Sequence, residues 1–268
     1  MVCPLCDSKE FQEFKMNSCK VYQCNQCSLQ YINYKENKKK SHYLKNYNES
    51  RKEDSTSSKL RQIQYSLDAK HLEKIISKGN ILDVGCSTGK FLDNLSKIPN
   101  FNLYGIDPDM DAITIAKKKC NSKIKFTNTD LNNYQTNLKF DCIIFRGSFQ
   151  FLGYDLKKTL DRISKMSSKN IKIIIYSLPN SDSILYHLLK DEWHLFDEFS
   201  HTLIFNRNAI TELCERFDYK IQECSYPYLE TPYANCVKDN ESLIQLIKGE
   251  KKKSFPFWGN IMQIVLEK

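Results

Sequence analysis

No apolar run in this 268-residue chain approaches the roughly 20 residues that a membrane-spanning helix needs. The start, Met-Val-Cys-Pro-Leu-Cys, lacks the basic-then-apolar pattern of an export signal, so the expected location is cytoplasmic. Without an export signal, the eleven cysteines read as thiols and possible metal ligands rather than as a disulfide framework. A dense basic patch is also missing. Lys+Arg exceed Asp+Glu by 40 − 32 = +8, but lysine runs occur only at Lys38–Lys40, Lys117–Lys119 and Lys251–Lys253. That excess favours anionic partners in general without naming one. The length suffices for one good-sized core and a small appendage.

The most informative stretch is residues 81–95. It reads as a buried strand, Ile81–Val84, then a tight turn bounded by Gly85 and Gly89, then a helix start. A second apolar run, Leu103–Ile106, ends in Asp107. A glycine turn lets a ligand approach the backbone closely, and an acid at the end of the next strand can accept hydrogen bonds from ribose hydroxyls. Together they predict a nucleoside-containing cofactor. The dinucleotide fingerprint G-x-G-x-x-G is absent, because Ser87 occupies the middle-glycine position. Asp83, two residues before Gly85, would repel a pyrophosphate but suits a ligand with a cationic amino-acid end.

Through Asp83, Gly85 and Gly89 the chain resembles the class I S-adenosylmethionine-dependent methyltransferases, with Ser87 departing from the family's middle glycine. The order of later elements fits the same likeness. Expected strands cover Ile124–Phe126, Phe140–Phe145, Ile171–Ser177, Tyr219–Cys224 and a lone final strand, Ile261–Glu267. Helices are expected over 109–119, 155–167 and 208–217. The resemblance implies an α/β, Rossmann-like seven-stranded sheet whose last strand is antiparallel. Ligands in such sheets sit beyond the carboxyl ends of the strands. The implied cofactor residues are Asp83 and Gly85 for the amino-acid end, Cys86 and Gly89 of the same turn, and Asp107 for the ribose. Pro108 and Met110 lie beside ribose and adenine, Asp130 meets the adenine amine, and Phe145 and Arg146 line the methyl-transfer end.

Cys3 and Cys6, then Cys24 and Cys27, form two C-x2-C pairs separated by seventeen residues, a zinc-ribbon spacing. Two such knuckles point four thiolates at one tetrahedral ion and leave no open position, so the predicted zinc is structural. Cys19 is a spare without a C-x2-C partner. The expected organisation is a zinc-ribbon module at 1–34, a linker or lid at 35–58 and the methyltransferase domain at 59–268. Tyr43 and Tyr47 lie in the lid. A helix over Lys59–Lys78 is expected to turn Leu60, Ile63, Leu67, His71, Leu72, Ile75 and Ile76 inward.

The four-cysteine front, Tyr22–Tyr31 and the Trp193–Phe205 block resemble methyltransferases of sugar, polysaccharide and small natural-product pathways. That likeness implies a small-molecule or sugar-linked acceptor, with a hydroxyl as the methylated group. Arg146-Gly147-Ser148-Phe149-Gln150-Phe151 parallels the family's Arg-Gly-x-x-Glu-His, with Gln150 and Phe151 replacing acid and histidine. A hydroxyl acceptor needs its proton removed, and His194 or His201 is the candidate base. His187 sits in the apolar stretch Ile184–Leu189 and is expected to be packed. Tyr176, Tyr186, Trp193, Tyr226, Tyr228 and Tyr233 make the expected substrate surroundings aromatic, with most of them expected to pack in the core. A short amphipathic helix is expected over 240–248. Two other functions share the frame: a zinc-ribbon ribosomal RNA methyltransferase, and a cofactor-binding subunit without catalysis.

Overall fold

The computed structural model describes residues 1–16, 19–32, 56–153, 156–193, 195, 203–250 and 254–268. The expected lid therefore lies outside the described residues except at 56–58, as do Tyr43, Tyr47, His194, His201 and Lys251–Lys253.

Three antiparallel strands open the chain: β1 (Phe11–Met16), β2 (Cys19–Cys24) and β3 (Gln30–Ile32). Then α1 (Thr56–Ile75) leads into β4 (Gly79–Val84), α2 (Lys90–Leu95), β5 (Phe101–Asp107), α3 (Met110–Lys119) and β6 (Lys125–Asn128). β7 (Phe140–Arg146), α4 (Leu156–Met166), β8 (Ser167–Pro179) and α5 (Ile184–Leu189) follow. The chain closes with β9 (Leu203–Ile204), α6 (Arg207–Phe217), β10 (Lys220–Ser225), α7 (Cys236–Ile247) and β11 (Ile261–Glu267).

The large sheet has the order β10-β11-β8-β7-β4-β5-β6, with β4 through β8 parallel and β11 antiparallel to both neighbours. Strand order reverses on either side of β4, because β5 pairs with one edge and β7 with the other. The crevice outside the carboxyl ends of β4 and β7 is where a ligand fits such a sheet. Both faces are covered, so the central strands are almost wholly apolar. Leu82, Val84, Ile106, Ile143 and Phe145 face one core cluster, with α4 and α6. Ile81, Leu103, Ile144, Ile174 and Tyr176 face another, with α1 and α2. Each such fully buried aliphatic stabilises the fold by about 1.5–3 kcal/mol.

The front module does not stand apart. β3 pairs with β9, Gln30 opposite Ile204 and Tyr31 opposite Leu203, so the small sheet runs β1-β2-β3-β9. Met16, Val21 and Ile32 share a core cluster with Leu185, Tyr186, Trp193 and Phe255. The Tyr186 hydroxyl donates to Gln30 Oε1, with Met16 Sδ 3.4 Å away.

Several expectations are corrected. On α1, Ile63 is 51% exposed and Leu67 is 38% exposed. Leu72 is fully buried as expected, with Ile75 and Ile76 packed against the same core, and Asp68 and Ala69 share that inward face. His187 is exposed rather than packed, because α5 turns Leu185, Tyr186 and Leu189 inward. α7 starts earlier than expected and buries Asp239 and Ser242, leaving Val237, Ile244 and Ile247 exposed. The Tyr228 hydroxyl and Asn235 N–H both donate to Asp239 Oδ2, which explains why an acid is buried there. Of the six aromatics named around the substrate, Tyr176, Tyr186, Trp193 and Tyr228 are core residues, in keeping with the expectation that most of them pack in the core.

Candidate functional site

Side chains alternate across a strand, and that alternation assembles the site. Asp83 pairs in register with Ile144 of β7 and with Gly105 of β5. Asp83, Asp107 and Arg146 therefore share the sheet face covered by α1 and α2, at the carboxyl ends of three adjacent strands. Phe145, one residue earlier than Arg146, points to the other face. It is fully buried there, edge-on to Phe149 with ring centroids 5.1 Å apart. It has no side-chain surface for a ligand, which corrects the expectation that it lines the methyl-transfer end.

The turn after β4 is held from both sides. Gly85 N–H and Cys86 N–H donate to the Ile106 carbonyl at 2.8 and 3.0 Å. Gly85 has φ +80, and a Cβ there would fall 2.8 Å from Ser148 Cβ. Ser148 itself crosses from the end of β7 to donate to the Val84 carbonyl at 2.5 Å. Gly89 has φ +74, and a Cβ there would lie 2.5 Å from the ring of Phe126. Ser87, in place of the middle glycine, also adopts a left-handed backbone, with φ 51. The turn therefore keeps the conformation for which glycine is the usual residue. Cys86 is buried among the α1-side core residues, so only its backbone is offered at the turn.

Asp107 ties this turn to the next one. Its Oδ2 accepts from Ser87 N–H and its Oδ1 from Asp109 N–H, both at 2.8 Å. Asp109 in turn caps α3 by accepting from Ala112 N–H. Pro108 is exposed beside Asp107, and Met110 is 67% exposed at the start of α3. Asp130 is exposed and local: its two oxygens accept from the N–H and the side-chain amide of Asn133, closing a turn.

Asp83 is 2% exposed, and its Oδ1 has no hydrogen-bond partner among the described residues. Burial pushes its pKa up to about 7, against the pull of the Arg146 guanidinium, with Asp107 adding to the rise. A buried carboxyl oxygen without a partner is costly, so a ligand atom that donates to it gains disproportionately.

Arg146 lies across α1. Its Nε donates to Asp68 Oδ2 at 2.7 Å, and its guanidinium sits 4.2 Å from the centre of the Tyr65 ring. Asp68 is 3% exposed, and its other oxygen accepts from Gln64 Nε2 at 2.7 Å. α1 is pinned further along. The Tyr176 hydroxyl donates to the Asp68 carbonyl at 3.1 Å, and His71 bridges Tyr176 and Glu223 at 3.0 and 2.9 Å. Desolvation works against the Glu223 charge, yet hydrogen bonds from His71 and Ser225 leave its pKa below the usual value. Sequence reasoning missed Gln64, Asp68 and the bridging role of His71. The signal was present as a polar stripe at i, i+4 and i+7. Gln150, at the family acid's position, is buried and donates to the Gly147 carbonyl, so this turn supplies no base there.

The second centre is the cysteine cluster. The side chains of Cys3, Cys6, Cys24 and Cys27 are all buried, with their sulfurs within 4.8 Å of one another. Cys3–Cys27 and Cys6–Cys24 sulfurs are 3.6 and 3.4 Å apart. A tetrahedral ion with sulfur ligands at about 2.3 Å requires sulfur separations of about 3.8 Å, so the donor set fits zinc. The two knuckles are built alike. Asp7 N–H donates to the Cys3 carbonyl and Ser28 N–H to the Cys24 carbonyl, and both residues have φ 62. A hydrogen bond from Cys27 lowers the Cys3 pKa to about 5, and the same contact pushes Cys27 far up. Four neighbouring thiols cannot all ionise without a cation among them.

A family model described as a methyltransferase domain matches residues 59–223. The chain belongs to that family and carries a class I S-adenosylmethionine-dependent methyltransferase domain. Among curated relatives, it is 29% identical over 176 residues to malonyl-[acyl-carrier protein] O-methyltransferase 2 of Ilyobacter polytropus, covering 63% of this chain and 64% of that protein. It is 42% identical over 80 residues to carboxy-S-adenosyl-L-methionine synthase of Campylobacter hominis, covering 28% and 33%. The chain thus spans less than two thirds of the length of these relatives. Among solved structures it resembles the plantazolicin methyltransferase BpumL in complex with SAH, with TM-score 0.56, 18% identity and coverage of 85% and 90%. It also resembles the N-methyltransferase NodS of Bradyrhizobium japonicum in complex with S-adenosyl-L-homocysteine, with TM-score 0.54, 16% identity and coverage of 84% and 97%. At these identities the likeness speaks for the fold.

Proposed function

We propose that this chain transfers the methyl group of S-adenosylmethionine to a small-molecule or sugar-linked acceptor, at a hydroxyl. The observation that carries the reading is the buried Asp83 carboxyl group, orphaned at Oδ1 beside Arg146 and beneath the Gly85–Gly89 turn. A ligand with a cationic amino-acid end fits that demand, and a pyrophosphate does not. When bound, the cofactor supplies an activated methyl group on a sulfonium. Asp83 and the turn receive its amino-acid end, Asp107 its ribose, and Pro108 and Met110 the adenine side. Asp130 belongs to the adenine side only through the turn it closes.

Catalysis then rests on positioning and on exclusion of water, together with removal of the acceptor proton. His194 or His201 is the proposed base. The sequence between them is bounded by Trp193, which is buried, and by Leu203, which is paired in β9. The relative named as an O-methyltransferase supports an oxygen acceptor. Zinc on Cys3, Cys6, Cys24 and Cys27 is proposed as structural, since four thiolates leave it no open position.

Calorimetric titration with S-adenosylmethionine tests the cofactor site. Asp107→Ala is expected to weaken binding by about tenfold or more, the scale of a lost charge-assisted hydrogen bond. Unchanged affinity would remove Asp107 from the site. Labelled-methyl transfer to nucleotide sugars, compared with ribosomal RNA fragments, tests the acceptor class. Transfer to RNA alone would overturn it.

A further inference from the structure

α1 contributes more to this site than a lid over a cofactor would need. Asp68 is almost fully buried, and each of its carboxylate oxygens is committed, one to Gln64 and the other to Arg146. Its backbone carbonyl is held as well, by Tyr176. The Arg146 guanidinium is thus fixed at Nε and against the Tyr65 ring face, with Phe91 5.9 Å away on the other approach. Among the described residues its two terminal nitrogens make no hydrogen bond, although the side chain is only 16% exposed. A guanidinium held this way presents two parallel donors in a fixed plane, the geometry that grips a carboxylate.

The neighbouring acceptors complete the pattern. Asp83 Oδ1 is buried without a partner, and so is Gln64 Oε1. One cation and two orphan acceptors around one crevice match a zwitterion, in which a single carbon carries both an ammonium and a carboxylate. The free fork accounts for the anionic half, and Asp83 for the cationic half.

We propose that Gln64, Tyr65 and Asp68 of α1 are positioning residues that preset Arg146 as a two-pronged receptor for the α-carboxylate of the methyl donor. This rests on the reading of the donor as S-adenosylmethionine. It assigns donor selectivity to a helix that the glycine-turn motif does not include. It also makes α1 responsible for discriminating the donor from analogues that keep its sulfonium, ribose and ammonium.

The test compares S-adenosylmethionine with its decarboxylated analogue, which lacks only that carboxylate, by calorimetry on the full chain. The wild type is expected to prefer the carboxylated ligand by at least tenfold. Asp68→Asn, nearly isosteric, is expected to reduce that preference to threefold or less, leaving affinity for the decarboxylated analogue within twofold of wild type. Arg146→Lys keeps the charge but loses the fork and the Nε contact, and its preference is expected to fall at least threefold; it carries the test should Asp68→Asn fail to fold. Tyr65→Leu is expected to lower the preference two- to fivefold. A preference that survives Asp68→Asn and Arg146→Lys overturns the proposal while leaving the donor reading intact. An equal loss for both ligands also overturns it, because that marks structural damage alone. A wild type that binds neither ligand overturns the donor reading itself.

Discussion

Asp83 is the residue whose protonation the fold changes most usefully. An ordinary aspartate is ionised above about pH 4, whereas burial lifts Asp83 to about 7. Between those values the folded chain holds a proton that the unfolded chain has released. The stability it contributes is therefore complete below pH 4 and declines as pH rises to about 7. A ligand ammonium favours the ionised form, so donor binding near pH 6.5 is expected to release a substantial fraction of a proton. Donor affinity is expected to rise with pH up to about 7. Calorimetry in buffers of different protonation enthalpy measures the release directly, and Asp83→Asn should abolish it. Release that persists in that variant would place the titration elsewhere. Asp83, Gly85, Gly89 and Asp107 were legible in the sequence because each answers a local demand: a backbone with positive φ, or an acid at a strand end. Asp68 and Gln64 were not. The expectation for α1 sent its apolar positions inward; that holds for Leu72, Ile75 and Ile76, but the same face also carries buried polar groups that apolar periodicity does not mark.

At the scale of elements, the turn after β4 shows how a motif survives the loss of one of its glycines. Ser87 adopts φ 51, a region that costs a non-glycine residue about 1–2 kcal/mol. Ser87→Gly is therefore expected to stabilise the chain by about 0.5–1 kcal/mol, with unchanged donor affinity, because the N–H to Asp107 is a backbone group. Urea unfolding measures the first and titration the second; destabilisation would mean that the serine hydroxyl contributes what the backbone geometry does not reveal. Strand positions were read well, since a sheet covered on both faces leaves continuous apolar runs in β7 and β8. Helix faces were read less well. On α1 and α5, exposed Ile63 and His187 contradict the inward expectation, and α7 starts at Cys236, ahead of the expected 240–248. On α1 and α7 the inward face also includes hydrogen-bonded Asp68 and Asp239, which hydropathy alone does not register.

For the molecule as a whole, the expected boundary between a front module at 1–34 and a catalytic domain is crossed by secondary structure. β3 pairs with β9, and the Tyr186 hydroxyl bonds Gln30, so the cysteine module braces both α5 and β9. If the four cysteines hold zinc as proposed, a chelator, like Cys24→Ser, is expected to raise hydrogen exchange in 11–32 and also in 185–193 and 203–204. β4, β5 and β7 should stay protected. Unchanged exchange at 185–193 and 203–204 would show that the two regions are independent. The sequence revealed the knuckles, because C-x2-C is a local spacing. It did not reveal β9, whose two residues carry no strand signature of their own and pair only because β3 offers an edge.

That pairing also orders events during synthesis. Cys27 is made well before Leu203, so the knuckles can close around a metal while the rest of the chain is still being synthesised. The outer edge of β3, however, has no mate until Leu203 and Ile204 follow some 170 residues later. Throughout that interval the nascent chain carries an open strand edge, the feature by which unfinished proteins stick to one another. The yield of folded chains is therefore expected to depend on how quickly the large sheet forms behind the module and brings β9 to β3.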